Sequence, residues 1–125
     1  MRLETRTAQV ELVEQGIVLT RIRRGASQDL TDARQNLGAS IEAAGGVRRP
    51  LLVDITGAAP LPPEVRHYYT GERLVGAFTA LALLVEASPL GTTMGNIYLK
   101  IASPGIPTRL FTLESAALGW LAEHR

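Results

Sequence analysis

Arg49-Pro50-Leu51-Leu52-Val53-Asp54-Ile55 is the stretch from which the rest of the chain can be read. A short continuous apolar run, opened by a proline and closed by a carboxylate, reads as a central strand covered on both faces. Phe78-Thr79-Ala80-Leu81-Ala82-Leu83-Leu84-Val85 has the same character and predicts a second buried strand. Between them, Pro62-Pro63 suits a helix start, because a proline in the first turn loses no helical hydrogen bond. That helix is expected to carry Val65, Tyr68 and Tyr69 and to run to about Val75. Strand, helix, strand in this order implies a crossover connection and parallel pairing.

Toward the N-terminus, Asp29 has the chemistry of an N-cap and Asp32 complements the dipole of the first turn. Leu30, Ala33, Leu37, Ile41 and Ala44 recur at helical spacing, and Gly45-Gly46 stops the helix. Before it, residues 5–14 and Ile17 to Arg24 read as two strands joined by a two-residue turn at Gln15-Gly16. That turn pairs Leu12 with Leu19 and Val10 with Arg21, and puts Val13, Val18 and Ile22 on the opposite face. Toward the C-terminus, Ser88-Pro89 breaks the second buried strand. Gly91-Thr92-Thr93 opens a helix with Met94, Ile97, Tyr98 and Ile101 as its apolar stripe. Pro104 and Pro107 bracket a turn, and Arg109-Leu110-Phe111 forms a last strand. Thr112 then caps a helix with Leu113, Ala117, Trp120 and Leu121 toward the core. The order β-β-α-β-α-β-α-β-α predicts an α/β fold. Its single mixed, mainly parallel sheet begins with an antiparallel hairpin, and residues 1–125 form one domain.

Composition narrows the function. The 125 residues are 46% hydrophobic, enough for one core that needs no disulfide or metal. No cysteine and only two histidines exclude thiol chemistry and make a structural zinc site untenable, and no cofactor is expected. A net charge of +1 argues against nucleic acid as a partner. The longest apolar stretch, Leu74 to Val85, is interrupted by Thr79 and is shorter than the roughly 18 residues of a membrane span. Residues 1–16 alternate polar and apolar and lack a signal-peptide core, so a cytoplasmic protein is expected.

Several segments carry a family resemblance: residues 49–55, Arg66-His67-Tyr68-Tyr69, Ala80 to Val85 and Ser88-Pro89-Leu90-Gly91, then Gly95 to Lys100, Pro107 to Phe111 and Ala117 to Leu121. Together, over residues 8–122, they resemble the STAS-like proteins, named after sulfate transporters and anti-sigma-factor antagonists. More narrowly, the chain is similar to bacterial stand-alone STAS/SEC14-like proteins of unassigned function. The resemblance implies a STAS-like fold and a regulatory role through a protein partner. Its SEC14-like side implies an alternative, a carrier or sensor of a small apolar or lipid-like ligand. In the antagonists a phosphorylatable switch serine follows the strand matched here by Leu51 to Ile55. This sequence has Leu61-Pro62-Pro63-Glu64 in that place, so the phospho-switch is not carried over, and Glu64 reads as a dipole-compensating residue.

Asp54 is costly to bury unpaired, so it is expected to meet Arg66, Arg109 or backbone N–H groups. Ligands of open α/β sheets lie beyond the carboxyl ends of the strands. Asp54 and Thr56 are expected to converge there with the Ser88–Thr93 loop. The full set of expected ligand-site residues is Asp54, Thr56, Arg66, Tyr69, Thr92, Thr93 and Asn96. Gly91-Thr92-Thr93-Met94-Gly95 matches the frame of a nucleophile elbow. The one histidine beyond it is His124, near the end of the sequence, so capping or an anion site is the expected reading. His67 is expected on the surface. With no acid–base pair, metal set or activated nucleophile evident, the expected protein is not an enzyme. Leu99, with Ile106 and Leu90, forms an apolar excess that predicts a homodimer interface.

Overall fold

Leu51 and Leu52 point to opposite faces of one sheet, and both are essentially inaccessible to solvent. The computed structural model describes residues 2–89, 91–93 and 105–125. Its elements are β1 (Arg2–Glu4), β2 (Ala8–Leu12), β3 (Val18–Ile22), α1 (Leu30–Ala44) and β4 (Arg49–Asp54). They continue with α2 (Pro63–Tyr69), α3 (Glu72–Ala77), β5 (Phe78–Leu84), β6 (Thr108–Phe111) and α4 (Glu114–Ala122). The strands form one sheet in sequence order, antiparallel from β1 to β3 and parallel from β3 to β6. This is the expected α/β architecture of a mixed, mainly parallel sheet with an antiparallel front.

Alternation along the strands sorts the core into two layers. Val10, Val18, Leu37, Leu51, Leu74, Phe78 and Leu81 pack together beneath α1 and α3, continuous with Ile22, Ala33, Ile55, Val65 and Leu83 beneath α1 and α2. Ile17, Leu19, Leu52, Ala82 and Leu84 pack with Ala117 and Leu121 of α4 on the other face. Asp29 caps α1 as expected: its carboxylate accepts from Asp32 N–H while Asp32 accepts from Asp29 N–H, each at 2.9 Å. Gly45 closes the helix in the left-handed conformation.

The structure corrects several expectations. The hairpin turn has three residues, Glu14 to Gly16, because Val13 N–H bonds Ile17 O at 3.0 Å and Gly16 N–H bonds Val13 O at 2.9 Å. Gly16 at φ 77° takes the left-handed position of a bulged three-residue loop, which a residue with a side chain adopts only under strain. Leu12 therefore pairs with Val18 and Val10 with Thr20. This one-residue slip moves Val18 and Ile22 onto the face of Val10. An edge strand, β1, was not anticipated. The expected helix to Val75 is two helices, broken at Thr70-Gly71. Thr112 is not the cap of α4: Leu113 occupies that position, with no side-chain hydrogen bond, and is 66% exposed. Helix begins by Pro89 rather than Gly91, and the expected stripe from Met94 to Ile101 lies outside the described residues.

Candidate functional site

Residue order on β4 splits the expected site between the two sheet faces. Asp54 points to the α4 face, where Arg21 Nη1 donates to its Oδ2 at 2.9 Å. Its other oxygen, Oδ1, accepts from Thr56 N–H at 2.9 Å and from Thr56 Oγ1 at 2.6 Å, the geometry of an Asx turn. Arg21 also reaches Glu114 Oε1 on α4, Nη2 to Oε1 2.6 Å. Burial opposes charge on Arg21, but its bonds to Glu114 and Asp54 outweigh that and raise its pKa. The cation paired with Asp54 is thus Arg21 rather than Arg66 or Arg109, while the expected backbone N–H contact is supplied by Thr56. Arg66 instead donates to Leu61 O at 2.8 Å, and the Arg109 guanidinium lies 5.3 Å from the centre of the Phe111 ring.

The loops after β4 and β5 do converge. Ile55, Gly57, Ala58, Val85, Glu86, Ser88 and Gly91 line a crevice of about 200 Å³ beyond the carboxyl ends of these strands. Neither Asp54 nor Thr56 lines it: Asp54 is held by Arg21, and Thr56 is held by Asp54. Gly91 is required by close approach: a Cβ there would lie 2.5 Å from Glu86 O. Ser88 caps the helix start, accepting from Gly91 N–H at 3.0 Å. Thr93 donates its hydroxyl to Pro89 O at 2.8 Å and Thr92 is exposed, so the described part of this turn is a helix cap. Asn96, Leu90 and Leu99 lie outside the described residues. Ile106, expected at an interface, is 7% exposed and belongs to the core cluster of Leu74, Phe78 and Leu81. Burying that side chain contributes to the core instead.

Tyr69 belongs to a second hollow, between α1 and α2 on the opposite face. Ile22, Leu37, Leu51, Val53, Ile55, Leu61, Leu74, Leu81 and Leu83 form its apolar wall, and Thr20, Gln28, Asn36, Ser40 and Tyr69 its polar row. Asn36 sits at the centre of that row. Its Nδ2 lies 2.8 Å from Thr7 Oγ1, 3.0 Å from Gln28 Oε1 and 3.2 Å from Tyr69 Oη. Thr5 donates to Asn36 Oδ1, and Tyr69 donates to Gln28 Oε1. Ser40 Oγ reaches Asn36 O at 2.8 Å and Thr20 Oγ1 at 2.7 Å. Burial, first of all, pushes the Tyr69 phenol pKa up, although its bond to Asn36 works the other way; the phenol stays protonated at neutral pH. Gln28 is 4% exposed, and its Nε2 has no partner among the described residues.

Except for Tyr69, the residues of this row were not among the expected site. A signal existed. Asp32, Asn36 and Ser40 recur every four residues along α1, a polar stripe beside the apolar stripe of Ala33 and Leu37. Read alone it is a solvated edge; here all three are buried.

Among the described residues no cluster of three or more His, Cys, Asp or Glu could hold a metal ion, and no helix is long and apolar enough to cross a membrane. A family model described as a domain of unknown function, DUF7793, matches residues 11–125. A crystal structure of an uncharacterised protein from Shewanella loihica PV-4, described as a DUF3478 family member with a SpoIIAA-like fold, superposes with a TM-score of 0.62. It is 14% identical, over 95% of this chain and 98% of that one. A crystal structure of a protein of unknown function from Arthrobacter sp. FB24 is 31% identical, over 90% of this chain and 97% of that one, with a TM-score of 0.34. No curated protein matches significantly.

Proposed function

The chain belongs to the DUF7793 family, a domain of unknown function, and on its SpoIIAA-like architecture we propose that it is a non-enzymatic STAS-like module that regulates a protein partner. The observation that carries this reading is the engagement of its buried ionisable groups. Asp32 and Asp54, the buried carboxylates among the described residues, are each held by an arginine and by backbone N–H groups. The Tyr69 phenol is held neutral. A catalytic acid or base needs a proton it can gain or lose at working pH, and the lowered pKa of Asp32 and the raised pKa of Tyr69 both work against that.

The segment matching the antagonist switch supports regulation without phosphorylation. Leu61 is buried in the core beside Val65, and Pro62 and Pro63 open α2 with no hydroxyl to modify. The test is reconstitution: a protein captured with the chain in its source cells should rebind it from purified components at fixed stoichiometry. Association into homodimers is part of the proposal and rests on the apolar residues of the 92–103 segment. Light scattering on the parent and Leu99→Glu tests it, and a monomeric parent would end it.

A second reading, a sensor of a small uncharged ligand, is favoured by one feature. The hollow between α1 and α2 combines apolar walls with a buried amide nitrogen that has no partner among the described residues.

A further inference from the structure

We infer that the hollow between α1 and α2 takes a small, uncharged, mainly apolar molecule bearing one carbonyl-type oxygen, which Gln28 Nε2 recognises. This rests on the sensor reading and specifies its ligand. Gln28 Oε1 accepts from both Asn36 and Tyr69, and Nε2, on a side chain that lines the hollow, has no acceptor among the described residues. A buried donor without an acceptor costs free energy that a bound oxygen restores. Since Gln28 is 96% buried by the complement of its 4% exposure, bulk water does not offset that cost.

The hollow also selects against charge. Among the described residues no Asp, Glu, Lys, Arg or His lines it, and a charge placed among these apolar walls would meet no counterion from them. Size sets the next condition. The free space is about 20 Å³, room for one water-sized group, so a larger molecule must displace part of the wall. Helix α1 is capped at both ends and fixed by its polar row, whereas α2 and α3 are short and carry no side-chain N-cap. Their Leu61–Leu74 side of the hollow is therefore the one that gives way.

The experiment compares cyclohexanone with cyclohexane, matched in shape and differing in the acceptor oxygen, by amide-detected NMR titration of the full chain. Cyclohexanone should shift the Gln28 side-chain amide and residues around Asn36 and Leu61, and bind at least about tenfold more tightly than cyclohexane, the worth of one hydrogen bond. In Gln28→Leu that ratio should fall to about one. Val53→Leu, which adds one methylene to a space of that size, should weaken both titrations while keeping a dispersed spectrum. Equal affinities in the parent would overturn the role of Gln28 while leaving the sensor reading standing. A single bound water only, with neither probe shifting these residues, would overturn both.

Discussion

Arg21 on β3 and Asp54 on β4 stand side by side in the parallel register, and their ion pair continues to Glu114, so one guanidinium ties the sheet to α4. Cutting it tests whether the cluster is structural. Arg21→Met leaves Asp54 buried without its cation and should cost about 1–3 kcal/mol, because the Arg21 side chain is 38% exposed and solvent screens part of the pair. Arg21→Met combined with Asp54→Leu should lose less than the sum of the single changes. Urea unfolding of the four proteins measures this cycle. Additive losses would show that the pair is uncoupled.

Leu52→Asp should prevent folding. The side chain is fully buried between β4 and α4 with Leu19, Ala82 and Leu121, and these apolar neighbours offer a carboxylate no partner. The cost of such a charge exceeds the roughly 5–15 kcal/mol by which domains of this kind are stable. A cooperative thermal transition near that of the parent, followed by circular dichroism, would contradict the burial.

Asp32 should make stability fall on the acid side. Its hydrogen bond from Arg6 is the chief cause of a lowered pKa, opposed by burial and aided by the capping bonds with Asp29. A depressed folded pKa means that the stabilisation is present above the unfolded value, about 3.9, and is lost as pH falls through the folded value. The gap between parent and Arg6→Gln should therefore be full at about pH 7 and should close once Asp32 is protonated in the folded state. Urea unfolding at both ends of that range checks it; a gap independent of pH would assign the effect of Arg6 to something other than Asp32.

Incubation with cell extract and ATP should place no stoichiometric phosphate on the chain between Ile55 and Glu64. The switch position holds Leu61-Pro62-Pro63-Glu64. The nearest hydroxyl, Thr56, donates to Asp54 Oδ1 at 2.6 Å, where a phosphate would meet a carboxylate. Phosphosite mapping by mass spectrometry decides it, and full occupancy at Thr56 would restore the antagonist analogy.

The strands were the most legible part of the sequence. Pro50 to Asp54 and Phe78 to Leu84 form continuous apolar runs because both faces are covered, and Asp29 with Gly45-Gly46 marks α1 by chemistry local to its ends. The hairpin register was less legible. Gln15-Gly16 serves a two- or a three-residue loop equally well, and the choice falls to how Val18 and Ile22 pack beneath α1. Leu113 misled because spacing alone put it on the inner face of α4, whereas the helix begins there and turns it outward. Asp54 was recognised as a buried carboxylate in need of a partner, but its partner is set by strand pairing between Arg21 and Asp54, which composition does not encode. The Gln28–Asn36–Tyr69 cluster draws on a loop and two helices. Only folding brings those residues together.

The most direct test of the central claim is native mass spectrometry of the freshly purified chain with whatever it captures in its source cells. A complex of the chain with a second, different protein at fixed stoichiometry is expected, rebuilt when the two are purified apart and mixed. A chain that rebinds no protein, whatever small molecule it carried, would contradict it.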